Sequence, residues 1–402
     1  MFDDVKYVLS HSSHQSFSIF IKTTYRYLRL YTSSNEVFFG GADLIIVCTG
    51  ITGSGRKQVI SSMVDLARKK GKDIQIKNIG QMMYEKAEEG GYAIEEGKIL
   101  DLPEFTLRSL RWSVLEDVLR TIDDTENTII DTHACFRWKK YICDGFEYSY
   151  LSKLNPDIYF NVTDTIYSIK GRLELLPGWR GRHNLLELLI WRDEEKALTR
   201  TFAQIQNRDF YLICFNDPSD LMYRIAFEEK PKAYLSYPIS FAIEEQIEAV
   251  IEFRDELRKE IVVFDPLSIR EMEWLTAAIS MKKQGKEAIK IPFKVNGKEE
   301  TVKLSVNEIH RIRDYLVDQT VIRDFTLIDQ SDFVVVDYFD PEINSPGVNN
   351  EMQYAHDNGK DVYIYWPDER MSPFLERNLT KSFRTQEKLL HFIRKMNVSP
   401  TM

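Results

Sequence analysis

The sequence lacks most features that mark a secreted, membrane-spanning or metal-binding protein. Its 402 residues include four cysteines without CxxC or zinc-finger spacing, so we expect reduced and mostly buried thiols. No apolar run approaches the roughly 20 residues of a membrane span, and the mixed, polar start predicts no signal peptide. His133, His310 and His356 show no ligand spacing, so we expect no metal site among them. These absences predict an intracellular, cytoplasmic protein.

The charge balance argues against a general nucleic-acid binder. The net charge is −9, whereas such a protein presents a basic surface. Small anionic ligands remain compatible with this charge, because local loops rather than net charge hold them. With 43% hydrophobic and 12% aromatic residues, the chain is able to bury two ordinary cores.

A phosphate-binding pattern begins at residue 43. Residues 43–50 (DLIIVCTG) predict a buried strand, the following GITGSGRK predicts a glycine-rich turn, and residues 58–70 predict a helix with one apolar face. Glycines in such a turn let backbone N–H groups converge on a phosphate. The residues that would form this nucleotide site are Gly50, Gly53, Ser54, Gly55, Arg56 and Lys57.

Further strand and helix patterns follow this turn. Strands are predicted at 73–78, 127–131, 157–162 and 211–215, and helices at 80–90, 107–121, 166–175 and up to 207. Alternation of this kind predicts a complete α/β domain over residues 43–230. Residues 1–42 have no clean period, and we interpret them as a packing or mobile appendage, with a membrane-surface arm as the alternative. Asp131 ends a strand, where it would suit a magnesium ion or its water. The arginines that would close over a phosphoryl group are Arg172, Arg180, Arg182 and Arg192.

Four segments of this domain, in order, resemble the archaeal-type adenylate kinases. They are CTGITGSGRK, KNIGQMMYEKA, IIDTHA and PDIYFNV with the arginines after it, over about residues 43–215. The resemblance implies a P-loop kinase-like sheet that binds ATP and Mg²⁺. It also implies that Asp131 lies near the magnesium and that Arg172, Arg180 and Arg182 belong to a mobile lid.

The glycine-rich loop departs from that family at two positions. Arg56 replaces the phosphate-binding lysine, and Lys57 replaces the hydroxyl that binds magnesium. Arginine is not a conservative substitute for lysine here, and a lysine does not ligate a cation. A regulatory or structural nucleotide site is therefore an alternative to a working kinase.

A second α/β pattern starts after a charged, proline-bearing stretch at 228–232. We place a domain boundary there and assign residues 231–402 to a smaller doubly wound, flavodoxin-like domain with five strands. The predicted elements are strands at 233–237, 261–265, 332–337 and 361–365, helices at 243–259, 271–283, 305–321 and 348–358, and a hairpin insertion at 286–301. Residues 323–328 are expected to lead into the strand at 332.

The stretch 332–365 is one strand–loop–helix–strand unit, and ligands of open α/β sheets sit at the carboxyl ends of their strands. Ser345, Gly347 and the first N–H groups of the helix offer an anion site there. Glu351 is predicted in the first helical turn, where the helix dipole alone also favours acids, so the pattern by itself leaves a structural role open. The loop carries three acids that we interpret as a solvated group rather than a metal site: Asp337, Asp340 and Glu342.

Three segments of the second domain resemble the nucleoside 2-deoxyribosyltransferase superfamily. They are AYLSYPIS, RDFTLIDQSDFVVVDY and SPGVNNEMQYAHDNGKDVYIY, within residues 232–395. The resemblance implies that Glu351 is the catalytic nucleophile, that Asp324 is the acid near the sugar and base, and that Tyr234 positions the nucleophile. Ser345 resembles the branch that acts on nucleoside 5′-monophosphates, although the loop after the first strand lacks the basic residue of some members. The superfamily also implies a homodimer.

The chemistry agrees with these roles. Cleavage of an N-glycosidic bond builds positive charge on the anomeric carbon, which a carboxylate stabilises or traps. We therefore expect Glu351 to be ionised, as a helix N-terminus favours, and Asp324 to protonate the departing base. Two alternatives stay open: Tyr234 as a plain strand-end aromatic, and Asp324 as a cap of the turn before Leu327.

The sequence thus predicts a transferase or hydrolase that acts at the N-glycosidic bond of a (deoxy)nucleoside or its 5′-monophosphate. The second domain needs no cofactor for this chemistry, and the kinase-like domain would bind ATP and Mg²⁺. The expected partners are a small nucleoside or nucleotide and a second copy of the chain, with no nucleic acid and no membrane span. A nucleoside monophosphate kinase with a C-terminal binding module is one alternative, and a non-catalytic nucleotide sensor is another.

Overall fold

The computed structural model describes residues 44–92, 94–95, 97–122 and 127–398. They belong to one compact unit that runs from Asp43 to Met402. The predictions for residues 1–42 lie outside the described residues. Within the ranges given above, no helix is long and apolar enough to cross a membrane.

The first half of the chain, up to residue 230, is built on a five-stranded parallel sheet. The strands of this half are β1 (Ile45–Thr49), β2 (Ile74–Asn78), β3 (Asn127–Asp131), β4 (Cys135–Trp138), β5 (Tyr141–Asp144), β6 (Ile158–Thr163) and β7 (Asp209–Cys214). Strands β4 and β5 form a separate antiparallel hairpin, and the sheet has the order β2-β3-β1-β6-β7. Strands β1 and β3 are buried along their whole length, because helices cover both faces of a parallel sheet. The predicted kinase-like parallel sheet is confirmed.

The helices of the first half follow the sequence pattern closely. They are α1 (Arg56–Lys69), α2 (Ile79–Glu89), α3 (Glu104–Thr121), α4 (Tyr148–Leu154), α5 (Ile166–Leu175), α6 (Leu185–Ile205) and α7 (Leu221–Phe227). The sequence did not predict α4, α7 or the β4–β5 hairpin. These elements have four or seven residues each, which is too short for a helical or strand period to stand out.

The second half is built on another five-stranded parallel sheet. Its strands are β8 (Lys232–Ser236), β9 (Val262–Phe264), β10 (Ala288–Val295), β11 (Lys298–Ser305), β12 (Phe333–Asp337), β13 (Asp361–Tyr365) and β14 (Lys381–Phe383). The sheet has the order β14-β13-β12-β8-β9, and β10 pairs only with β11. This is the flavodoxin-like order, whose switch point lies between β8 and β12. The predicted α/β class is confirmed, although the three-residue edge strand β14 was not foreseen.

One helix of the second half differs from its predicted course. The helices are α8 (Glu244–Glu260), α9 (Glu271–Lys283), α10 (Val306–Arg311), α11 (Arg313–Asp329), α12 (Pro346–Asp357), α13 (Pro373–Glu376) and α14 (Gln386–Val398). The helix predicted at 305–321 is divided at Ile312, and α11 then continues to Asp329 because Leu327 and Ile328 extend its buried face. Residues 323–328, for which the sequence predicted no helix, thus form the last part of α11, and β12 follows them. Asp324 lies inside α11 and does not cap a turn before Leu327.

The β10–β11 hairpin connects the two halves. Its turn has left-handed backbone at Asn296 (φ 49°) and Gly297 (φ 74°), as the sequence predicted. Alternate side chains of β10 are buried, and Phe293 packs against Gly171 of α5 so closely that a Cβ there would lie 2.6 Å from the ring. The hairpin thus belongs to the second half in sequence and packs on the first half.

Buried polar contacts also join the halves. Glu271, at the start of α9, accepts hydrogen bonds from Ile166 N and Arg192 Nη1, both at 2.6 Å. The side chain of Gln330 bonds both backbone groups of Leu212. The first sheet ends with β7 and the second begins with β8, so the two sheets are separate. The contacts just described nevertheless pack the two halves against each other. The division of the chain at 230 and 231 stays a prediction.

Candidate functional site

The glycine-rich loop between β1 and α1 has the backbone that its sequence predicts. Gly50, Gly53 and Gly55 have φ values of 145°, 87° and 86°, a region that residues with a Cβ rarely adopt. A Cβ on Gly55 would lie 2.2 Å from the ring of Phe215, which follows β7. The loop leads directly into α1, whose first N–H groups have no acceptor within the helix. This backbone suits a phosphate.

Gly55→Ala is expected to lower the free energy of unfolding by more than the cost of placing an alanine at a positive φ. The strained backbone alone costs about 1–3 kcal/mol, and the collision with Phe215 adds ~1–3 kcal/mol. Gly71→Ala is the matched control, because Gly71 has a φ of 73° with no atom near its missing Cβ. Urea unfolding of both variants measures the difference. Equal losses for the two variants would contradict the close packing of Phe215 on the loop.

The side chain of Arg56 is engaged within the protein. Its Nε forms an ion pair with Asp131, and its Nη1 donates to the carbonyl of Gly50. The other carboxylate oxygen of Asp131 accepts from Asn78 Nδ2, a residue that the sequence pattern did not identify. Arg56 is buried, whereas Lys57 is exposed. The arginine therefore neutralises the acid at the end of β3 instead of standing free above the loop.

The residues around the loop do not fit a magnesium ion. Asp131 is already paired with Arg56 and Asn78, and Lys57 stands where a hydroxyl ligand is required. Across the described part of the chain, no group of three or more His, Cys, Asp or Glu side chains forms a metal site. The backbone of the loop suits a phosphate, but its side chains do not complete a metal–nucleotide site.

Glu195 holds the loop from behind and was not predicted from the sequence. It is 1% exposed on α6 and accepts hydrogen bonds from Gly50 N at 3.0 Å, Ala134 N at 2.9 Å and Cys135 N at 2.7 Å. Burial raises the pKa of Glu195, but the adjacent His133 and the N–H groups of Cys135 and Ala134 outweigh burial, so the net shift is downward. An acid on the inner face of a long helix is the only signal in the sequence, and it does not reveal the partners.

The three arginines assigned to a lid lie in two different environments. Arg172 is in α5, 5% exposed, and donates to Gly53 O at 2.7 Å, Asp164 Oδ2 at 2.6 Å and Lys294 O at 2.8 Å. It thus joins the glycine loop to the β10–β11 hairpin. Arg180 and Arg182 are exposed on the segment between α5 and α6. Their hydrogen bonds go to the backbone of that region, and Arg182 also stacks over Trp138.

A second site lies at the switch point of the second sheet. Tyr234 and Ser236 are two residues apart on β8 and therefore face the same side of the sheet. Glu351 comes from α12, which follows the neighbouring strand β12. Tyr234 Oη donates to Glu351 Oε1 at 2.9 Å, and Ser236 Oγ donates to Oε2. The structure brings the predicted Tyr234 and Glu351 together and adds Ser236, which the two-residue period could have indicated.

The protonation of Glu351 differs from the sequence prediction. Burial, and next the charge of Asp324, raise the pKa of Glu351 to about 8, against the two hydroxyl donors. Because α12 begins at Pro346, Glu351 lies in the second turn, where the helix dipole has faded. The expectation of an ionised Glu351 is wrong for the free protein at neutral pH. Burial also raises the pKa of Tyr234, so its hydroxyl stays a donor.

Asp324 completes this site from α11. Its carboxylate pairs with Arg323 at 2.8 Å, and Arg323 in turn donates to the carbonyls of Ile269 at 3.1 Å and Pro266 at 3.4 Å. Burial raises the pKa of Asp324, and Arg323 opposes that rise. Asp324 and Glu351 interact electrostatically, as two carboxyl groups in one site do.

The predicted phosphate residues begin α12. Ser345 is 5% exposed and its Oγ accepts from Val348 N at 3.4 Å, so its side chain is the N-cap of the helix. Gly347 is exposed with open space where its Cβ would be. Together they leave the N-terminus of α12 accessible at Gly347, whereas the hydroxyl of Ser345 is occupied.

Asp337, at the end of β12, is not the solvated residue that the sequence suggested. It is completely buried, one oxygen accepts from Gln386 Nε2 at 2.7 Å, and the other has no partner among the described residues. Burial raises the pKa of Asp337 to about 7. Asp337 is the last residue of the strand predicted at 332–337, and its burial follows that strand rather than the loop after it.

Comparisons with known proteins concern the kinase-like half. A family model described as an AAA domain matches residues 49–183. The adenylate kinase of Methanocaldococcus jannaschii is 25% identical over 114 residues, which is 28% of this chain and 59% of that protein. The adenylate kinase of Pyrococcus abyssi is 26% identical over 128 residues, or 32% of this chain and 63% of that protein. The matches therefore span less than two thirds of either relative. Together with the fold and the glycine loop, they show that the first half is a P-loop nucleotide kinase-like domain with similarity to adenylate kinases.

Proposed function

We propose that the second half cleaves the N-glycosidic bond of a nucleoside or nucleoside 5′-monophosphate, with Glu351 as the nucleophile. The observation that carries this proposal is the placement of Glu351: a buried carboxyl group at the switch point of the sheet, held by the hydroxyls of Tyr234 and Ser236. Two hydroxyl donors fix its oxygens and aim the carboxyl group, which is what an attacking group requires. The resemblance of the surrounding segments to nucleoside deoxyribosyltransferases supports the same assignment.

The protonation of Glu351 and Asp324 is compatible with their roles as nucleophile and acid. At neutral pH Glu351 holds a proton. Burial also raises the pKa of Asp324, but the Arg323 guanidinium opposes that rise and favours the ionised form of Asp324. Transfer of that proton from Glu351 to Asp324 creates an ionised nucleophile and a protonated acid at once. Arg323 opposes this transfer, so it becomes favourable only as negative charge develops on the departing base.

The reaction then proceeds in two displacements. An oxygen of Glu351 bonds to the anomeric carbon, the carbon–nitrogen bond breaks with its electron pair on the base, and the base takes the proton from Asp324. Water next attacks the anomeric carbon, gives its proton to Asp324 and releases the carboxylate of Glu351. A second base in place of water gives transfer instead of hydrolysis. Tyr234 and Ser236 hold the carboxyl group in position through both steps.

The substrate phosphate would lie at the N-terminus of α12. The open space at Gly347 allows an anion to approach the first N–H groups of that helix. Ser345 contributes by capping the helix rather than by its own free hydroxyl. A nucleoside 5′-monophosphate is therefore our preferred substrate class, and the homodimer implied by the superfamily remains part of this proposal.

A second candidate function is a nucleoside monophosphate kinase, and the comparisons favour it over the glycosidic reaction. Similarity to two adenylate kinases supports ATP as the ligand of the first half. The glycine loop supports phosphate binding, but Arg56, Lys57 and the paired Asp131 do not supply the magnesium ligands of such an enzyme. We therefore propose that the first half binds a nucleotide and that the chemistry resides in the second half.

One experiment separates these functions. A panel of nucleosides and nucleoside monophosphates is incubated with the full chain, with and without ATP, and both free base and ADP are quantified. We expect free base from the wild type and none from Glu351→Ala, with no ADP formed. ADP formation that requires a monophosphate acceptor and is lost in Arg56→Ala would favour the kinase. Tight nucleotide binding without any product would favour a sensor and refute the glycosidic proposal.

A further inference from the structure

A large cavity lies between the two halves of the protein. Its volume is about 640 Å³, within the range of small-molecule sites. The first half contributes Arg172 and Phe215 to its wall, and the second half contributes Arg254, Arg270 and Trp274. Neither half forms this cavity alone.

The cavity is separate from the glycine loop. Of the described residues, those that line it include none from 50 to 57. The ring of Phe215 packs on Gly55, and the guanidinium of Arg172 lies 4.2 Å from the centre of that ring. Arg172 also bonds the carbonyl of Gly53. These two side chains form a partition, with the loop on one side and the cavity on the other.

Several cationic side chains in the wall have N–H groups that are not paired with a nearby carboxylate. The Nε of Arg258 is buried and has no hydrogen-bond partner among the residues that the structure describes. Arg270 has its nearest recorded carboxylate, Glu273, at 3.8 Å, and Lys294 has no ion pair within the described ranges. The same wall contains four acids: Asp164, Asp255 and Asp265 are already paired with arginines, and the fourth is Glu299. Spare guanidinium and ammonium groups suit a phosphate.

Flat rings accompany these cations. Phe215, Trp274 and Phe293 line the same cavity. An aromatic base stacks on such rings and on guanidinium planes, while its phosphate pairs with the cations. The combination fits a nucleoside phosphate better than a bare anion, and the volume is sufficient for it.

Hydrogen bonds and one peptide bond connect the cavity with the nucleophile. Arg254 Nη1 donates to Asp265 Oδ2 at 2.7 Å, and Tyr237 Oη donates to Asp265 Oδ1 at 2.9 Å. Tyr237 is the next residue after Ser236, which donates to Glu351. A ligand that draws Arg254 towards a phosphate therefore acts on the strand end that holds the nucleophile.

A second chain leads to the acid. Pro266 and Ile269 follow Asp265, and their carbonyls accept from Arg323, which pairs with Asp324. The short segment from Asp265 to Ile269 thus lines the cavity on one side and positions Arg323 on the other. Both reacting carboxyl groups are supported by elements of the cavity wall.

We propose that the cavity between the halves is a regulatory site for a nucleoside 5′-phosphate, and that its occupancy changes the activity of the Glu351 site. The regulatory part rests on the proposed function, whereas the binding part does not. The ligand binds through its phosphate to Arg254, Arg258, Arg270 and Lys294 and through its base to the aromatic wall. Ligand binding there transmits its effect through Asp265 and Arg323.

The test uses calorimetric titration of the full chain with AMP, ADP, ATP and inorganic phosphate. Arg270→Glu and, separately, Lys294→Glu are expected to weaken nucleotide binding by about tenfold or more, because repulsion replaces a charge-assisted hydrogen bond. Arg313→Glu is the matched control, since Arg313 is 55% exposed, close to the 51% of Arg270, and pairs only with its neighbour Asp314. Arg56→Ala should leave this binding unchanged, because Arg56 belongs to the glycine loop.

The outcomes are separable. Failure of the wild type to bind any nucleotide overturns the site, and so does binding as tight as that of the wild type in both charge-reversal variants. Loss of all nucleotide binding in Arg56→Ala would place the only site at the glycine loop, which also overturns it. Binding of inorganic phosphate as tightly as nucleotides would refute the role of the aromatic wall. The effect on base release tests the regulation. If base release responds to the nucleotide in the wild type but not in Arg270→Glu, the regulation is supported. If the nucleotide binds and a measurable rate of base release stays unchanged, the regulation is refuted. If the nucleotide binds to a protein that releases no base, only the proposed function is refuted.

Discussion

Glu351→Gln is expected to abolish base release while leaving the protein folded and more stable at alkaline pH. The amide cannot form the bond to the anomeric carbon, and loss of an enzymatic nucleophile lowers kcat by a factor of about 10³ or more. The same amide keeps the shape of the side chain: its oxygen accepts from one of the hydroxyls of Tyr234 and Ser236, and its NH2 group donates to the other hydroxyl, which then serves as the acceptor. Activity and stability should therefore change in opposite directions.

The stability gain follows from the raised pKa. In the unfolded chain the pKa of Glu351 takes the ordinary value of 4.5, whereas in the folded protein burial raises it to about 8. Below pH 4.5 Glu351 is protonated in both the folded and the unfolded protein, so its titration does not change the free energy of unfolding. Between the two values the unfolded chain binds fewer protons, so the wild type loses about 1.4 kcal/mol of stability per pH unit. Above about 8 the cost stays constant. Glutamine does not titrate and avoids this loss.

Urea unfolding of both proteins from acidic to alkaline pH measures this difference. The gap between the variant and the wild type should be small near pH 4.5 and widest above pH 8. Glu248→Gln, an exposed position on α8, should show no such widening. A gap that is constant across the pH range would contradict the burial of Glu351. Unimpaired base release from Glu351→Gln would refute its role as the nucleophile.

Glu271→Ala is expected to destabilise the whole protein by about 3–5 kcal/mol, the usual cost of removing one partner from a buried ion pair. Glu271 is 2% exposed and accepts from both Arg192 and Ile166 N. Its removal leaves the arginine without its carboxylate and the amide of Ile166 without an acceptor. Because this pair spans the two halves, both sheets should lose stability together.

The comparison needs two further variants. Glu271→Gln keeps one acceptor and should lose less stability than the alanine variant. Asp65→Ala breaks an exposed pair with Arg68 and should cost ~0–1 kcal/mol. Urea unfolding followed by circular dichroism and tryptophan fluorescence gives the free energies. A loss from Glu271→Ala as small as that from Asp65→Ala would show that the pair does not join the halves.

The regular elements were predictable because they depend on local pattern. The buried strands β1, β3 and β12 have short, continuous apolar runs, and the loop after β1 has glycines where the backbone needs positive φ. The turn of the β10–β11 hairpin was predictable for the same reason, since an Asn-Gly pair favours one turn type. Each of these features is decided by fewer than about ten neighbouring residues.

Partners distant in the chain were not predictable. The pairing of Arg56 with Asp131 joins residues 75 positions apart, and Glu195 reaches the glycine loop across 145 positions. The sequence indicated each charge but not its use. The protonation of Glu351 failed for a related reason, because burial depends on every element packed around the site. Ser236 was accessible to a simple argument, since it shares a strand face with Tyr234.

The position of the β10–β11 hairpin has a consequence for any attempt to study the halves apart. A chain that starts at residue 231 would carry the hairpin without the helix α5 on which it packs. Part of the apolar face of this two-stranded ribbon, including Phe293, would then face water, because α5 no longer covers it. Such a ribbon is a site for aggregation. A truncated chain that contains only the second half should therefore also lack the β10–β11 hairpin. A single cut at residue 231 would leave the hairpin in place.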